Sequence, residues 1–352
     1  MTYNKLPGIV FTESVATSQV AAEEGNIPLF IIKATNDYDL CGSINHFDSY
    51  SAFADVSAAL EAPYTKQVIQ DTLLEVGATE FYLYPVAFTN ATTLTDTVAA
   101  TAHLDDVKNM IYIEETAGTA NTAIANCIAS LKTGINTLES SGVFRRLYIV
   151  PYGTVHAASN AVTSLTSILS ATGDGRICCI LPDENAGIVT GKCIVSPYND
   201  EVGRTPVSSA VKESSYNFNA AEMLTLMNLG VLFLRRERGM GGYQYRICLG
   251  VTTSFKDNAA DGLLVCRTVV DELLSRIGVE AQPFVKAKET DSNEVMLQSV
   301  VDAIVNEFVT NEDIYRDGTS LTVGGDGVNF TINGTIKPVR SAIAIEVNTT
   351  IQ

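Results

Sequence analysis

Residues 109–150 read NMIYIEETAGTANTAIANCIASLKTGINTLESSGVFRRLYIV, and this stretch decides the fold class. It opens on a short apolar run at 110–113 and closes on another at 147–150. Between them Ile124, Cys127, Ile128, Leu131, Ile135 and Leu138 recur three or four residues apart, on one face of a helix over 122–138. A second helical pattern at 160–170 leads to a third apolar run, ICCIL at 177–181. Strand, helix, strand, helix, strand in this order predicts a parallel sheet with right-handed crossovers. The expected fold class is therefore mixed α/β.

Toward the amino end, IPLFIIKA at 27–34 reads as a buried strand, followed by helical patterns at 49–60 and 65–76. In the second, Val68, Ile69, Thr72, Leu73 and Val76 share a face, and Gly77 is a stop. Residues 81–86 read as a strand, and the Thr- and Asn-rich run at 90–97 as a boundary. Toward the carboxyl end, Pro197, Gly203 and Pro206 mark 196–219 as a polar surface segment. A helix at 220–228 then precedes a strand at 231–234, a Gly-rich turn at 235–242 and a strand at 243–251. Two further helices follow. One spans 263–277 and stops at Gly278; the other spans 295–308, with Asp291, Ser292 and Asn293 as capping residues. A hairpin at 321–336 turns around Gly324, Gly325, Asp326 and Gly327. The expected division is an amino-terminal β-arm at 1–20, α/β parts at 21–97 and 98–205, a carboxyl-terminal core at 206–336, and a carboxyl-terminal β-arm at 337–352.

The arms read as strands with no partner in the rest of the chain. Ile343, Ile345, Val347, Thr349 and Ile351 alternate with smaller or polar residues, a period of two. At the other end Ile9, Val10, Phe11 and Thr12 form a short β-rich run behind Pro7 and Gly8. Unpaired strands seek edges, so two of them on one subunit suggest a polymer that grows by exchanging strands.

Composition narrows the function. The 352 residues carry 23 basic and 40 acidic side chains, a formal charge of -17, which disfavours a nucleic-acid partner. The densest basic run, Arg235-Arg236-Glu237-Arg238, reads as a solvated loop or a subunit contact. Seven cysteines lie scattered without Cys-x-x-Cys or Cys-His spacing, which fits reduced core thiols in a chain folded in the cytosol. No apolar run approaches the ~20 residues of a bilayer span, and the amino end shows no secretion signal, so no membrane insertion is expected.

The enzymatic alternative rests on the sheet. Ligands of parallel sheets sit beyond the carboxyl ends of the strands, where the chain places Glu114, Glu115, Tyr152, His156, Asp183 and Glu184. Glu114, His156 and Asp183 are the candidates for a metal-dependent site there. The Gly-rich runs at 239–242 and 173–175 lack the helix amino terminus that would receive a phosphate, so no cofactor is expected.

The ordered set of elements is similar to that of another class of protein. The opening Leu6-Pro7-Gly8-Ile9-Val10-Phe11-Thr12-Glu13, the strand at 27–34, and the helices and strand at 49–56 and 65–86 resemble tail sheath proteins of contractile phages and phage-tail-like bacteriocins. Asn228-Leu229-Gly230-Val231, the helix containing Cys266 to Asp271, and the closing strand from Ile336 through Val347 match in type and order. The resemblance implies a sheath core with arms exchanged between subunits, polymerised as stacked rings around an inner tube and shortening to drive that tube through a cell envelope. It implies as partners other copies of the chain, the tube protein, and baseplate and tail terminator proteins. Assembly in a bacterial cytoplasm, followed by release in a virion or bacteriocin particle, is implied with them. Contraction of this kind needs no nucleotide, because a trapped extended state stores the energy. Arg267 and Arg276, with Lys286 and Lys288, are the candidate tube contacts.

Overall fold

The computed structural model describes residues 27–340 except 34–39, 57–61, 79, 88–91, 116–119, 141–142, 144, 157–159, 204–205, 208–210, 240–241, 256–261, 286–289 and 326–329. The first half runs β1 (Leu29–Lys33), β2 (Asn45–Phe47), α1 (Tyr50–Val56), α2 (Pro63–Val76), β3 (Phe81–Val86), α3 (Thr92–Ala99), β4 (Asn109–Ile113) and α4 (Asn121–Ser140). It continues with β5 (Arg146–Val150), α5 (Tyr152–His156), α6 (Ala161–Leu169), β6 (Ile177–Ile180), α7 (Ala186–Val195), α8 (Ala220–Asn228) and β7 (Val231–Leu232).

All seven strands join one sheet in the order β2-β3-β1-β4-β5-β6-β7. Every pair is parallel except β2 with β3, which is antiparallel. The inner strands β1, β4, β5 and β6 are apolar along nearly their whole length because both faces are covered, whereas edge strand β2 carries Asn45 and an exposed His46. Phe30, Ile32, Ile111, Ile113, Tyr148 and Val150 face α1, α2 and α7, whereas Leu29, Ile31, Met110, Tyr112, Leu147 and Ile149 face α3, α4, α6 and α8. This is the mixed α/β fold expected from 109–181. The sheet also takes β1 and β3 from before residue 98 and β7 from after residue 206, so it runs through three of the five expected segments.

The helix ends follow local chemistry. Asn219 and Glu222 form a reciprocal capping box that starts α8. Asn160 caps α6, and Gly77 ends α2 in the left-handed region at φ 68°. The start of α2 borrows its cap from another element: Glu115 accepts from the amides of Tyr64 and Thr65 at 3.1 and 2.7 Å. Three helices went unread in the sequence, the one-turn α5 among them. α3 lies within a Thr-rich run expected to be a boundary, and α7 has an apolar pattern that continues around the helix because nearly all of it is buried.

α7 packs on α2 almost backbone to backbone. A Cβ added at Gly187 would meet the Asp71 Cβ and the Val68 carbonyl at 2.6 Å, and one at Gly191 would meet the Glu75 Cβ at 2.6 Å. These glycines lie one turn apart on the same helix face, and both approaches are too close for a side chain. Gly191→Ala is therefore expected to cost about 1–3 kcal/mol by overpacking. Thermal denaturation monitored by circular dichroism would show it, and an unchanged melting temperature would refute this packing.

Beyond the sheet come an antiparallel ribbon, β8 (Leu234–Gly239) with β9 (Gly242–Ile247), and the helices α9 (Leu264–Glu280) and α10 (Asp291–Thr310). The chain closes with a second ribbon, β10 (Ser320–Gly325) with β11 (Phe330–Thr335). Three expectations are corrected here. The arginine tetrad lies in strand β8, not in a turn, because the reversal falls later, between Gly239 and Gly242. α9 passes through Gly278 to Glu280, and the cap of α10 is Thr290, whose hydroxyl accepts from the Asn293 amide at 3.3 Å.

Candidate functional site

The carboxyl-terminal layer holds the last described residues, up to 340, and its centre is α9. One side of this helix closes the first sheet core through Leu264, Val265 and Cys266. Its other side, through Val269, Leu273 and Ile277, packs on Leu297, Val301, Ile304 and Phe308 of α10. A helix buried on both sides ties the sheet to the outer layer.

Charge as well as apolar surface makes that joint. Arg267, 2% exposed, donates to Asp271 one turn on at 2.5 Å. Arg176 at the start of β6 and Arg146 at the start of β5 approach the same carboxylate at 3.7 and 3.9 Å. Arg176 also faces Glu139 of α4 at 3.7 Å. Burial and then the neighbouring Arg267 charge pull the Arg176 guanidinium below its ordinary pKa. Asp271 is thus the shared counter-charge of three arginines.

The outer ribbon rests on α10. Val323 is buried, and Leu321, Phe330 and Ile332 are packed partly against the same cluster. Gln298 of α10 donates to the Leu321 carbonyl at 3.0 Å and accepts from the Val323 amide at 2.7 Å. Those two groups point away from β11, so a side-chain amide occupies part of the outer edge of β10. Among the described residues no backbone group pairs with the outer edge of β11.

The segment just before the expected carboxyl-terminal arm residues is pinned. The Tyr315 amide donates to the Lys337 carbonyl at 2.8 Å, and the Val339 amide to the Asp313 carbonyl at 2.9 Å. Asp313 is itself buried, and its carboxylate accepts from Tyr198 and Asn199, each at 3.1 Å. Burial and that carboxylate push the Tyr198 phenol up to about 12. Residues 337–339 are therefore fixed to the segment at 313–315.

Neither the family models nor the curated proteins contain a match to this chain. Solved structures do. A chain of the anti-feeding prophage baseplate, 6-fold symmetrised, superposes with a TM-score of 0.64 at 14% identity, covering 99% of each chain. A chain of the anti-feeding prophage helical sheath in the contracted state gives 0.63 at 14% identity, again over 99% of each. One from the PVC sheath complex of an extracellular contractile injection system, also contracted, gives 0.65 at 12% identity, over 99% of this chain and 98% of that one. The chain has the sheath fold.

Within the sheath fold, the residues singled out by sequence occupy different environments. Ile9, Val10, Phe11, Thr12, Ile343, Ile345, Val347, Thr349, Ile351, Lys286 and Lys288 lie outside the described residues. Arg267 is not on the surface of the subunit: its charge is spent on Asp271, which corrects the expectation that it meets a tube. Arg276 is half-buried, pairs with Glu272 at 3.2 Å and Glu307 at 2.5 Å, and lies over the Phe308 ring. Arg146 and Arg176 were missed by sequence reading, since nothing in a residue at or just before a strand's start announces a partner on a helix about a hundred residues later.

The strand-end carboxylates of the sheath fold are structural. Glu115 caps α2, Glu184 accepts from the Ser215 amide at 2.9 Å, and Glu114 accepts from the Tyr112 hydroxyl at 3.0 Å. His156 is exposed and stacks on Tyr152, with ring centroids 4.6 Å apart. Among the described residues no group of three or more His, Cys, Asp or Glu side chains is placed to hold a metal ion. Glu114, His156 and Asp183 thus lack the convergence that the enzymatic alternative required.

Asp183 is buried and accepts from the Asn185 amide at 2.9 Å. Burial raises its carboxyl above the ordinary value of 3.8, so the folded state holds the proton more tightly than the unfolded chain. Its contribution to stability is full below the unfolded value and is lost as pH rises through the folded one. Asp183→Asn keeps an acceptor for Asn185 and removes the titration. Its melting temperature relative to wild type should climb as pH is raised from about 4 toward neutrality. A constant difference across that range would contradict the assignment.

Proposed function

We propose that the chain is the structural subunit of a contractile tail sheath. It polymerises by strand exchange around an inner tube and contracts to drive the tube through a target envelope. The observation that carries this reading is the match of the whole chain, 99% covered, to chains of a sheath solved in its contracted state. The pinned root at 313–315 and 337–339 supports it, because an arm can transmit force to a neighbour only if its base is fixed. About eleven arm residues at ~3.3 Å each reach roughly 35 Å, enough to cross to another subunit.

The receiving edge in this reading is β11. With Gln298 on the edge of β10, the outer edge of β11 is the one open to a further strand by β-augmentation. The inner tube, the baseplate and a tail terminator are the heterologous partners. Assembly takes place in a bacterial cytoplasm, before release in a phage or bacteriocin particle. Arg276, Lys286 and Lys288 remain the proposed tube contacts.

Negative-stain electron microscopy of the purified chain tests the reading. Hollow cylinders of uniform width are expected; a chain that stays monomeric at all concentrations and salt conditions, alone and with tube protein, would refute it.

A further inference from the structure

The β8–β9 ribbon is a cationic, aromatic surface on an acidic protein. Residues 234–247 carry Arg235, Arg236, Arg238 and Arg246 against Glu237, a net of +3; since the whole chain is -17, everything else carries -20. The ladder register sets Arg236 opposite Tyr245 and Arg238 opposite Tyr243, which puts these four positions on one face of the ribbon. Tyr243 is 65% exposed and Tyr245 41% exposed, and the Arg236 guanidinium lies 4.2 Å from the centre of the Tyr243 ring. Exposed tyrosines beside arginines are the residue types enriched where proteins dock.

The complementary surface is on α10. Its twenty residues include Asp291, Glu294, Asp302 and Glu307 and no basic residue. Glu307 is engaged by Arg276. Asp291, Val295 and Asp302 fall on the outward stripe opposite Leu297, Val301, Ile304 and Phe308. Val295 is 66% exposed and Met296 55%, large apolar side chains among the acids. Cation and aromatic on one surface thus meet anion and aliphatic on the other.

We infer that the Arg236–Tyr243–Tyr245 face of the β8–β9 ribbon docks on the Asp291–Val295–Asp302 stripe of α10 in a second copy of this chain. Each subunit offers its ribbon to one neighbour and its α10 stripe to another, so the contact is heterologous and repeats head to tail, as an open helical polymer requires. It is an electrostatic latch, additional to strand exchange, and weakens as salt screens it. The inference rests on the polymerising subunit proposed above.

Charge reversal and its repair provide the test. Arg236→Glu is exposed and should leave the melting temperature unchanged, while the polymer recovered by sedimentation and counted by negative-stain microscopy falls about tenfold or more. Adding Asp302→Arg or Asp291→Arg to Arg236→Glu should restore polymer, and neither added substitution should help a Tyr243→Ser chain. Normal polymer from Arg236→Glu overturns the latch and leaves the sheath reading standing. Loss that neither α10 reversal repairs overturns the assignment to α10, and a wild-type chain that forms no polymer under any condition overturns both proposals.

Discussion

Removing residues 341–352 should leave a subunit that melts at the wild-type temperature and forms no tubes. The stability half of this expectation comes from the root. Tyr315 with Lys337, Asp313 with Val339, and the Ile314–Pro338 bridge all lie before the cut, so the layer that holds α9, α10 and the outer ribbon keeps its contacts. The assembly half comes from the arm. In the strand exchange proposed above, a strand of this length would form about five ladder hydrogen bonds to a neighbour, each worth roughly 0.5–1.5 kcal/mol net. Losing them weakens association about fifty-fold or more for each arm. Sedimentation with negative-stain microscopy reads the assembly, and circular dichroism reads the melt. Tubes of normal length from the shortened chain would remove strand exchange from the mechanism, whereas a lowered melting temperature would place the arm within the subunit's own fold.

Asp271→Ala is expected to be the most damaging single substitution among those considered, at about 3–5 kcal/mol. The magnitude follows from what remains after the carboxylate is gone. Arg267 and Arg176 are nearly inaccessible to water, and Arg146 adds a third positive charge at the same point. Left without their shared anion, the guanidiniums repel one another in a medium that screens poorly. The pair itself need not stabilise the fold against an apolar replacement, which yields a second outcome. Arg267→Leu with Asp271→Leu should lose less than Asp271→Ala alone, because the most deeply buried guanidinium is then removed together with its anion and only Arg176 and Arg146 lose a partner. Asp302→Asn, on the outward face of α10, is the control and should stay within about 0.5 kcal/mol. Thermal melts of the four chains decide it. If Asp271→Ala melts with the wild type, the cluster has been misread.

Much of the fold was legible because the signals that make it are local. The run at 109–150 encodes two strands and a helix in fourteen apolar positions, and the strand ends observed there lie within a residue of those expected. α2 and α8 were equally readable, each carrying an amphipathic stripe and a stop or a cap. α7 was not, since a helix enclosed on all sides loses the polar face that reveals a period. The ribbon was misread for a related reason. Four consecutive charged residues resemble a loop when read alone, and only pairing with Tyr243, Gln244, Tyr245 and Arg246 makes them a strand. Arg267 shows the limit most plainly: a basic residue on a helix looks exposed until the helix is seen to lie between two layers.

The sequence by itself determined the fold class, the acidic character of the chain, and the alternation at its carboxyl end, because periodicity and composition need no partner to be read. The tertiary structure alone decided which strands of different segments share one sheet and how closely α7 could approach α2. It also decided that three arginines far apart in sequence converge on Asp271, and that Gln298 covers part of one edge of the outer ribbon while no described backbone group pairs with the other. Each of these depends on groups separated by tens to hundreds of residues, and the energy of burying or pairing them exists only once the chain has brought them together.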